Sequence, residues 1–124
     1  MRPRIVIVDD DPTFLATVRR LLEDEGFEVV GEALTGQDGV AAAAAIDTEL
    51  VLVDVGLPDI DGFDVVERIA AGAQAPPVVL TSIRSAGDFA NLIDASSARG
   101  FLTKDEITGD ALRAILQEEG QPAP

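Results

Sequence analysis

Cysteine and histidine are both absent from this chain of 124 residues. Without cysteine there is no disulfide framework, no thiol nucleophile and no thiolate metal site, and the chain suits a reducing compartment. Without histidine there is no imidazole general base and no His-based zinc site. Basic residues are scarce: nine Lys and Arg stand against 23 Asp and Glu, a net charge of −14. Phosphate backbones and anionic membranes are repelled on average by such a surface, so direct nucleic-acid binding is not expected. The same imbalance favours divalent cations and partners with basic faces, and it also serves solubility. Long apolar runs are missing too. The opening Met-Arg-Pro-Arg leads into an apolar run that ends at Val8, too short for a signal peptide, and no run approaches the ~20 residues of a membrane span. A cytoplasmic location is the expectation.

What remains is an ordinary globular composition, 47% hydrophobic and 26% charged, at the size of one compact domain. Short apolar runs alternate with longer amphipathic stretches, the sequence sign of βα units and a mostly parallel sheet. Five strands are read at RIVIV (4–8), FEVVGEA (27–33), LVLV (50–53), PVVLTS (77–82) and GFLT (100–103). The third and fourth are nearly all β-branched or leucine, as expected where helices cover both faces.

The first helix carries Phe14, Leu15, Val18, Leu21 and Leu22 at helical spacing, with Asp11 placed to cap it, Pro12 at its first position and Gly26 to stop it. Thr35 caps a second helix through Ala45, and Asp61 or Gly62 opens a third through about Ala71. Residues 86–97 form a weaker fourth, and Thr108 caps a fifth with Leu112, Ile115 and Leu116 as its inward stripe. The ending EEGQPAP lacks periodicity and carries two prolines. The chain therefore reads as one domain over 1–118 and a linker or frayed tail over 119–124. Five alternating units of this size favour an open doubly wound sheet over a barrel, which needs roughly 250 residues.

In doubly wound sheets ligands collect at the carboxyl ends of the strands, where the strand order reverses. That rim receives Asp9 and Asp10 after the first strand, Asp54 after the third, Thr81 and Ser82 after the fourth, and Lys104 after the fifth. Singly, each has an ordinary reading: aspartates before a helix cap it, an Asp after a strand makes turns, and a lone Lys is solvated. Jointly, three carboxylates on one rim raise one another's pKa unless a divalent cation lies between them. A carboxylate can also act as nucleophile towards a phosphoryl group. Such transfer depends on positioning and charge neutralisation, supplied by a metal ion, an ammonium and a hydroxyl donor, and it needs no general base on the protein.

The blocks IVIVDDDP, LVLVDVGLPDIDGFDVV, VVLTS and GFLTKD resemble the signature blocks of response-regulator receiver domains of two-component systems, in order and spacing over about residues 4–118. The resemblance implies a flavodoxin-like (βα)5 fold with parallel strands in order 2-1-3-4-5. It implies Asp54 as phosphoacceptor, and Mg²⁺ or Mn²⁺ held by Asp10 directly, by Asp9 mostly through water, by Asp54 and by the backbone carbonyl of Gly56. Thr81, with Ser82 beside it, would bond a phosphoryl oxygen, Lys104 would pair with the phosphoryl group, and Phe101 falls at a switch aromatic. A sensor histidine kinase would be the phosphodonor, homodimerisation a consequence of phosphorylation, and DNA a partner only through a separate output domain. The last block is most similar to receivers that precede LuxR-type (NarL/FixJ-like) helix-turn-helix domains. A stand-alone or unphosphorylated interaction module with the same fold is the alternative.

Three positions depart from the common pattern. Gly56 lies two residues after the acceptor and Ile83 two after Thr81, where larger or more polar side chains are frequent in that family, so both bear on the attacking water and the phosphate lifetime. Asp105 follows Lys104 where many relatives carry proline after a cis bond; a trans bond is expected here, because cis before a non-proline costs roughly 3 kcal/mol. Other chemistries fit poorly. A haloacid-dehalogenase-type phosphotransferase needs a second Asp where Gly56 stands. In LPDIDGFDVVER a calcium loop would begin at Leu57 and end at Arg68, so both terminal ligands fail. Aspartates stand where a dinucleotide-binding loop needs glycines, and no Walker lysine motif occurs.

Overall fold

A computed structural model describes residues 2–119. Five strands, β1 (Arg4–Val8), β2 (Glu28–Ala33), β3 (Leu50–Asp54), β4 (Val78–Ser82) and β5 (Gly100–Thr103), form one parallel sheet in the order β2-β1-β3-β4-β5. Five helices alternate with them: α1 (Pro12–Asp24), α2 (Gly36–Ala45), α3 (Gly62–Ala70), α4 (Ala90–Ala95) and α5 (Gly109–Glu119). The flavodoxin-like order expected from the signature blocks is the order observed.

Period-two alternation along the strands sorts the core into two layers. Ile5, Ile7, Leu50, Leu52 and Val79 pack with Leu15, Val18 and Leu22 of α1 and Leu112 of α5. Val6, Val8, Val51, Val53, Val78 and Leu80 point the other way, onto Ala43 of α2 and Val65, Val66 and Ile69 of α3. Large side chains dominate the first layer and valines the second. The second is thin because α2 lies close to the sheet: a Cβ on Gly39 would sit 2.6 Å from Cγ2 of Val8. Every residue of β3 and β4 is buried, as expected for strands covered on both faces.

The helix starts follow the expected capping chemistry. Asp11, Thr35, Asp61 and Thr108 accept from the backbone N–H of Thr13, Asp38, Asp64 and Ala111, satisfying donors that a helix start leaves open. Gly26 ends the α1 turn at φ 96°, a conformation that costs glycine nothing. Two strands begin one residue later than their apolar runs: Phe27 gives its N–H to the Leu22 carbonyl and closes the α1 turn before β2 starts.

The fourth helix departs most from expectation. Residues 86–97 divide into a 3₁₀ turn (Ala86–Phe89) and the short α4, and neither buries a residue. With no apolar stripe seated on the sheet, little packing holds a continuous helix there. Helix α5 runs to Glu119; the remainder of the expected tail lies outside the described residues. No helix among the described residues is long and apolar enough to cross a membrane.

Candidate functional site

Register sets the rim. Asp54 lies opposite Thr81, and Ser82 lies opposite Thr103, the residue before Lys104. Asp9 continues β1, its N–H donating to the Ala33 carbonyl at 3.0 Å. The structure thus brings Asp9, Asp10, Asp54, Thr81, Ser82 and Lys104 to one edge of the sheet.

Asp9 is fully buried, Asp54 is 8% exposed, and Asp10 faces solvent. Asp9 Oδ1 accepts the Asp11 N–H at 2.9 Å, so the start of α1 orients that carboxylate. Its Oδ2 meets Lys104 Nζ at 2.8 Å, and the same ammonium lies 3.8 Å from Asp54 Oδ1. Apart from this ion pair, Asp9 Oδ2 has no hydrogen-bond partner among the described residues. One oxygen from each of Asp9, Asp10 and Asp54 lies within 4.8 Å of the others. Three hard oxygen donors, one of them buried and short of partners, fit a divalent cation of the Mg²⁺ type. Gly56 sits beside the group: a Cβ there would meet only Asp54 Oδ2, at 3.8 Å.

Burial, followed by the Asp9 charge, pushes the Asp54 pKa up to about 6; Lys104 opposes this, Asp10 adds to it, and the Gly56 backbone N–H lowers it. For Lys104, burial works against the charged form, but the bond to Asp9 and the charges of Asp54 and Asp9 outweigh it, so its pKa is raised. The ammonium is charged near neutrality, and the surroundings of Asp54 disfavour its ionisation. The Lys104–Asp105 peptide is trans, as expected. Lys104 opens a 3₁₀ turn (Lys104–Glu106) fixed by the Thr103 N–H donating to Glu106 Oε1 at 2.9 Å and by the Thr103 hydroxyl donating to Asp105. Acidic capping thus fixes the turn that follows β5.

Thr81 and Ser82 are buried at the end of β4. The Thr81 carbonyl accepts the Val55 N–H at 2.9 Å, and Ser82 Oγ accepts the Arg84 N–H at 3.0 Å. A cleft of about 370 Å³ opens over Asp54, lined by Val55, Gly56, Ser82, Ile83, Phe89 and Lys104 among others. Ile83 points outward, 84% exposed. Phe101 is half-buried against the valine layer, away from the carboxylates, and ends a chain of tilted rings: Phe63 to Phe89 at 5.9 Å and Phe89 to Phe101 at 6.0 Å between centroids.

Several contacts escaped the sequence reading. Asp59 accepts the N–H groups of Gly36 at 2.7 Å and Gln37 at 2.9 Å, and these bonds hold its pKa below the usual carboxylate range. It therefore ties the loop after Asp54 to the start of α2. With Asp61 capping α3, the aspartates of the suspected calcium loop have structural partners. Glu67 accepts from the N–H and hydroxyl of Ser97, both at 2.8 Å, and anchors the loop between α4 and β5. The Phe14 ring lies under the Lys104 ammonium, with Nζ 4.3 Å from its centroid. The Asp59, Glu67 and Phe14 contacts join residues 22 to 90 apart in sequence, where periodicity carries no signal.

The profile of the response regulator receiver domain family matches residues 5–117. The chain is similar to the virulence-factor transcription regulator BvgA of Bordetella pertussis, 34% identical over 114 residues that cover 92% of this chain and 54% of that protein. It is 30% identical over 112 residues to the response regulator UvrY of Escherichia coli O157:H7, covering 90% of this chain and 51% of that one. The chain thus spans about half the length of these curated relatives. Among solved structures, the signal receiver domain of the response regulator NarL of Mycobacterium tuberculosis superposes with a TM-score of 0.82 at 28% identity, covering 97% of this chain and 98% of that one. A LuxR-family two-component response regulator from Aurantimonas sp. SI85-9A1 superposes with a TM-score of 0.86 at 26% identity, covering 95% and 87%.

Proposed function

Because this chain belongs to the response regulator receiver domain family, a signalling family of two-component systems, we propose that it receives a phosphoryl group on Asp54. The observation that carries the reading is the placement of Lys104 Nζ between Asp9 and Asp54 beside three carboxylates that fit a divalent cation. In the transfer, an Asp54 carboxylate oxygen bonds to phosphorus while the P–N bond of a phosphohistidine on a sensor kinase breaks. The imidazole leaves with a proton taken from solvent. Water later attacks phosphorus, releasing inorganic phosphate and restoring the carboxylate.

Mg²⁺ or Mn²⁺ held by Asp9, Asp10, Asp54 and the Gly56 carbonyl would neutralise the charge of the transferred group. Lys104 supplies the permanent positive charge, Ser82 supplies a hydroxyl at the cleft wall, and Thr81, buried opposite Asp54 at the end of β4, would supply a second. Gly56 and Ile83 leave that wall without a polar side chain at two positions next to Asp54, which bears on how the attacking water is held and so on the lifetime of the aspartyl phosphate. Thr81 and Phe101 carry the switch to the face of α4, β5 and α5, where two receivers pair and bring separate DNA-binding output domains together in the cytoplasm. An output of this kind suits a surface of −14 that would not itself hold DNA.

Incubation with acetyl phosphate and Mg²⁺, read by intact mass, tests the reading. The chain gains one hydroxylamine-sensitive phosphoryl group, and Asp54→Asn gains none. A phosphoryl gain that survives in Asp54→Asn moves the acceptor elsewhere.

A further inference from the structure

Lys104 is the only lysine in the chain, and its ammonium has three neighbours of two kinds. Two are carboxylate oxygens, of Asp9 at 2.8 Å and of Asp54 at 3.8 Å. The third is the face of the Phe14 ring, 4.3 Å from Nζ to the centroid, well inside the range at which a ring quadrupole attracts a cation. Charge alone places this ammonium loosely, because a lysine side chain is a flexible stem carrying a point charge that can pair with either carboxylate.

The ring is placed by the same rim. Phe14 is the third residue of α1, whose first turn is fixed by the Asp11 cap and by the Asp11 N–H donating to Asp9. Its apolar body packs against the layer built around Ile5, Ile7 and Leu52. One end of α1 thus sets both the carboxylate that Lys104 binds and the surface on which its ammonium rests. The ring also differs in kind from the other two neighbours, for it carries no net charge. It neither competes for a divalent cation nor repels an incoming phosphoryl group, and it has no titration of its own.

We propose that Phe14 is a positioning residue for Lys104, its ring a neutral platform over which the ammonium passes from Asp9 to the group carried by Asp54. The inference rests on Asp54 as acceptor for its functional half only; the platform itself stands on the resting geometry. Phe14 as ordinary core filling is the competing account, and ring electronics separate the two. Mono-, di- and trifluorinated phenylalanine at position 14 keep nearly the same shape while weakening the quadrupole stepwise, whereas Phe14→Leu removes it.

Lysine labelled with ¹³C at Cε gives a single resonance in this chain. Its ε protons are expected upfield through the ring current, to stay upfield when a beryllofluoride mimic of the phosphoryl group is added, and to move to ordinary values in Phe14→Leu. Phosphorylation by acetyl phosphate in Mg²⁺ is expected to slow progressively across the fluorinated series, by about threefold to tenfold in all, with the melting temperature lowered by at most a few degrees. An unshifted ε signal in the unaltered chain, or rates flat across the series while the unaltered chain is phosphorylated, would overturn the proposal. Absence of any phosphoryl gain in the unaltered chain would overturn the assignment of Asp54 instead, and the ε signal would then decide the platform by itself.

Discussion

Replacing Asp54 by asparagine should make the metal-free fold more stable at neutral pH, an effect opposite to that of most buried substitutions. The cause is the charge that the rim must hold. Burial and the facing carboxylate of Asp9 push Asp54 up to about 6, against the pull of Lys104, whereas an unfolded aspartate titrates near 3.9. The folded state therefore binds this proton more tightly than the unfolded chain. Below about pH 3.9 the carboxyl is neutral in both states and costs nothing; between about 3.9 and 6 the cost grows; above that it is fully present. At about 1.4 kcal/mol per tenfold, the cost has a ceiling near 3 kcal/mol. Water reaching Asp54 through the open cleft, and relaxation of Asp10 and Lys104, screen part of it and leave about 1–2 kcal/mol. Unfolding of Asp54→Asn and of the unaltered chain would be compared in chelator from pH 4 to pH 8. At pH 7 the variant should melt roughly 5 °C higher, the gap closing towards pH 4 and narrowing in saturating Mg²⁺. A variant no more stable than the unaltered chain at pH 7, or a gap indifferent to pH, would refute the reasoning.

Mg²⁺ at a hundred times its dissociation constant should stabilise the chain by about 2.7 kcal/mol, and Asp10→Ala, which alters an exposed side chain, should remove that gain while leaving the metal-free melting temperature nearly unchanged; calorimetric scans with and without Mg²⁺ read both. Asp59→Ala should speed hydrogen exchange at the Gly36 and Gln37 amides, which now donate to it. Because those bonds hold the Asp59 pKa low, the protection is present above the ordinary aspartate pKa and is lost as pH falls through the lower folded value, so the difference between variant and unaltered chain should vanish in strong acid. Gly62→Ala would set a Cβ 2.5 Å from the Asp54 carbonyl oxygen and 2.7 Å from Val55 Cα; since backbone must move, a loss of about 1–3 kcal/mol together with weaker Mg²⁺ binding is expected, measured by urea unfolding and titration.

What the sequence made legible is what it encodes locally. Runs such as RIVIV and LVLV announce strands because residues of a covered parallel strand are buried one after another, all of LVLV and all but Arg4 of RIVIV, and the rim follows from asking which residue comes next. Caps are readable for the same reason: Asp11 reaches Thr13 and Thr35 reaches Asp38, within three residues. Asp59 looks like turn chemistry until α2 is in place, 23 residues earlier in the chain. Phe14 looks like one more member of the α1 stripe, because its cation lies in a turn 90 residues away. Residues 86–97 read as one helix only because no local signal marks the break. The division at Phe89 arises when that ring turns inward between Phe63 and Phe101 while the residues on either side stay out of the core.

That division explains how so small a site could govern so large a surface. The 3₁₀ turn and α4 bury nothing of their own. Their attachments to the rest of the fold include the Phe89 ring, held between Phe63 and Phe101 with Arg84 stacked 5.3 Å above it, an exposed Arg84–Asp88 ion pair at 3.6 Å, and the Glu67 clasp on Ser97 at the far end. Phe89 also lines the cleft over Asp54. A segment with few buried contacts opens at low free-energy cost, so whatever fills the cleft acts first on its least secured boundary. Displacing Phe89 disturbs Phe101 by ring contact and leaves the exposed Arg84–Asp88 pair at the near end and the Glu67 clasp on Ser97 beyond the far end. The two central strands, buried on both faces, have no comparable freedom. On the function proposed, the rigid sheet holds the carboxylates in register while the weakly seated α4 turns a change of charge at Asp54 into a change of surface.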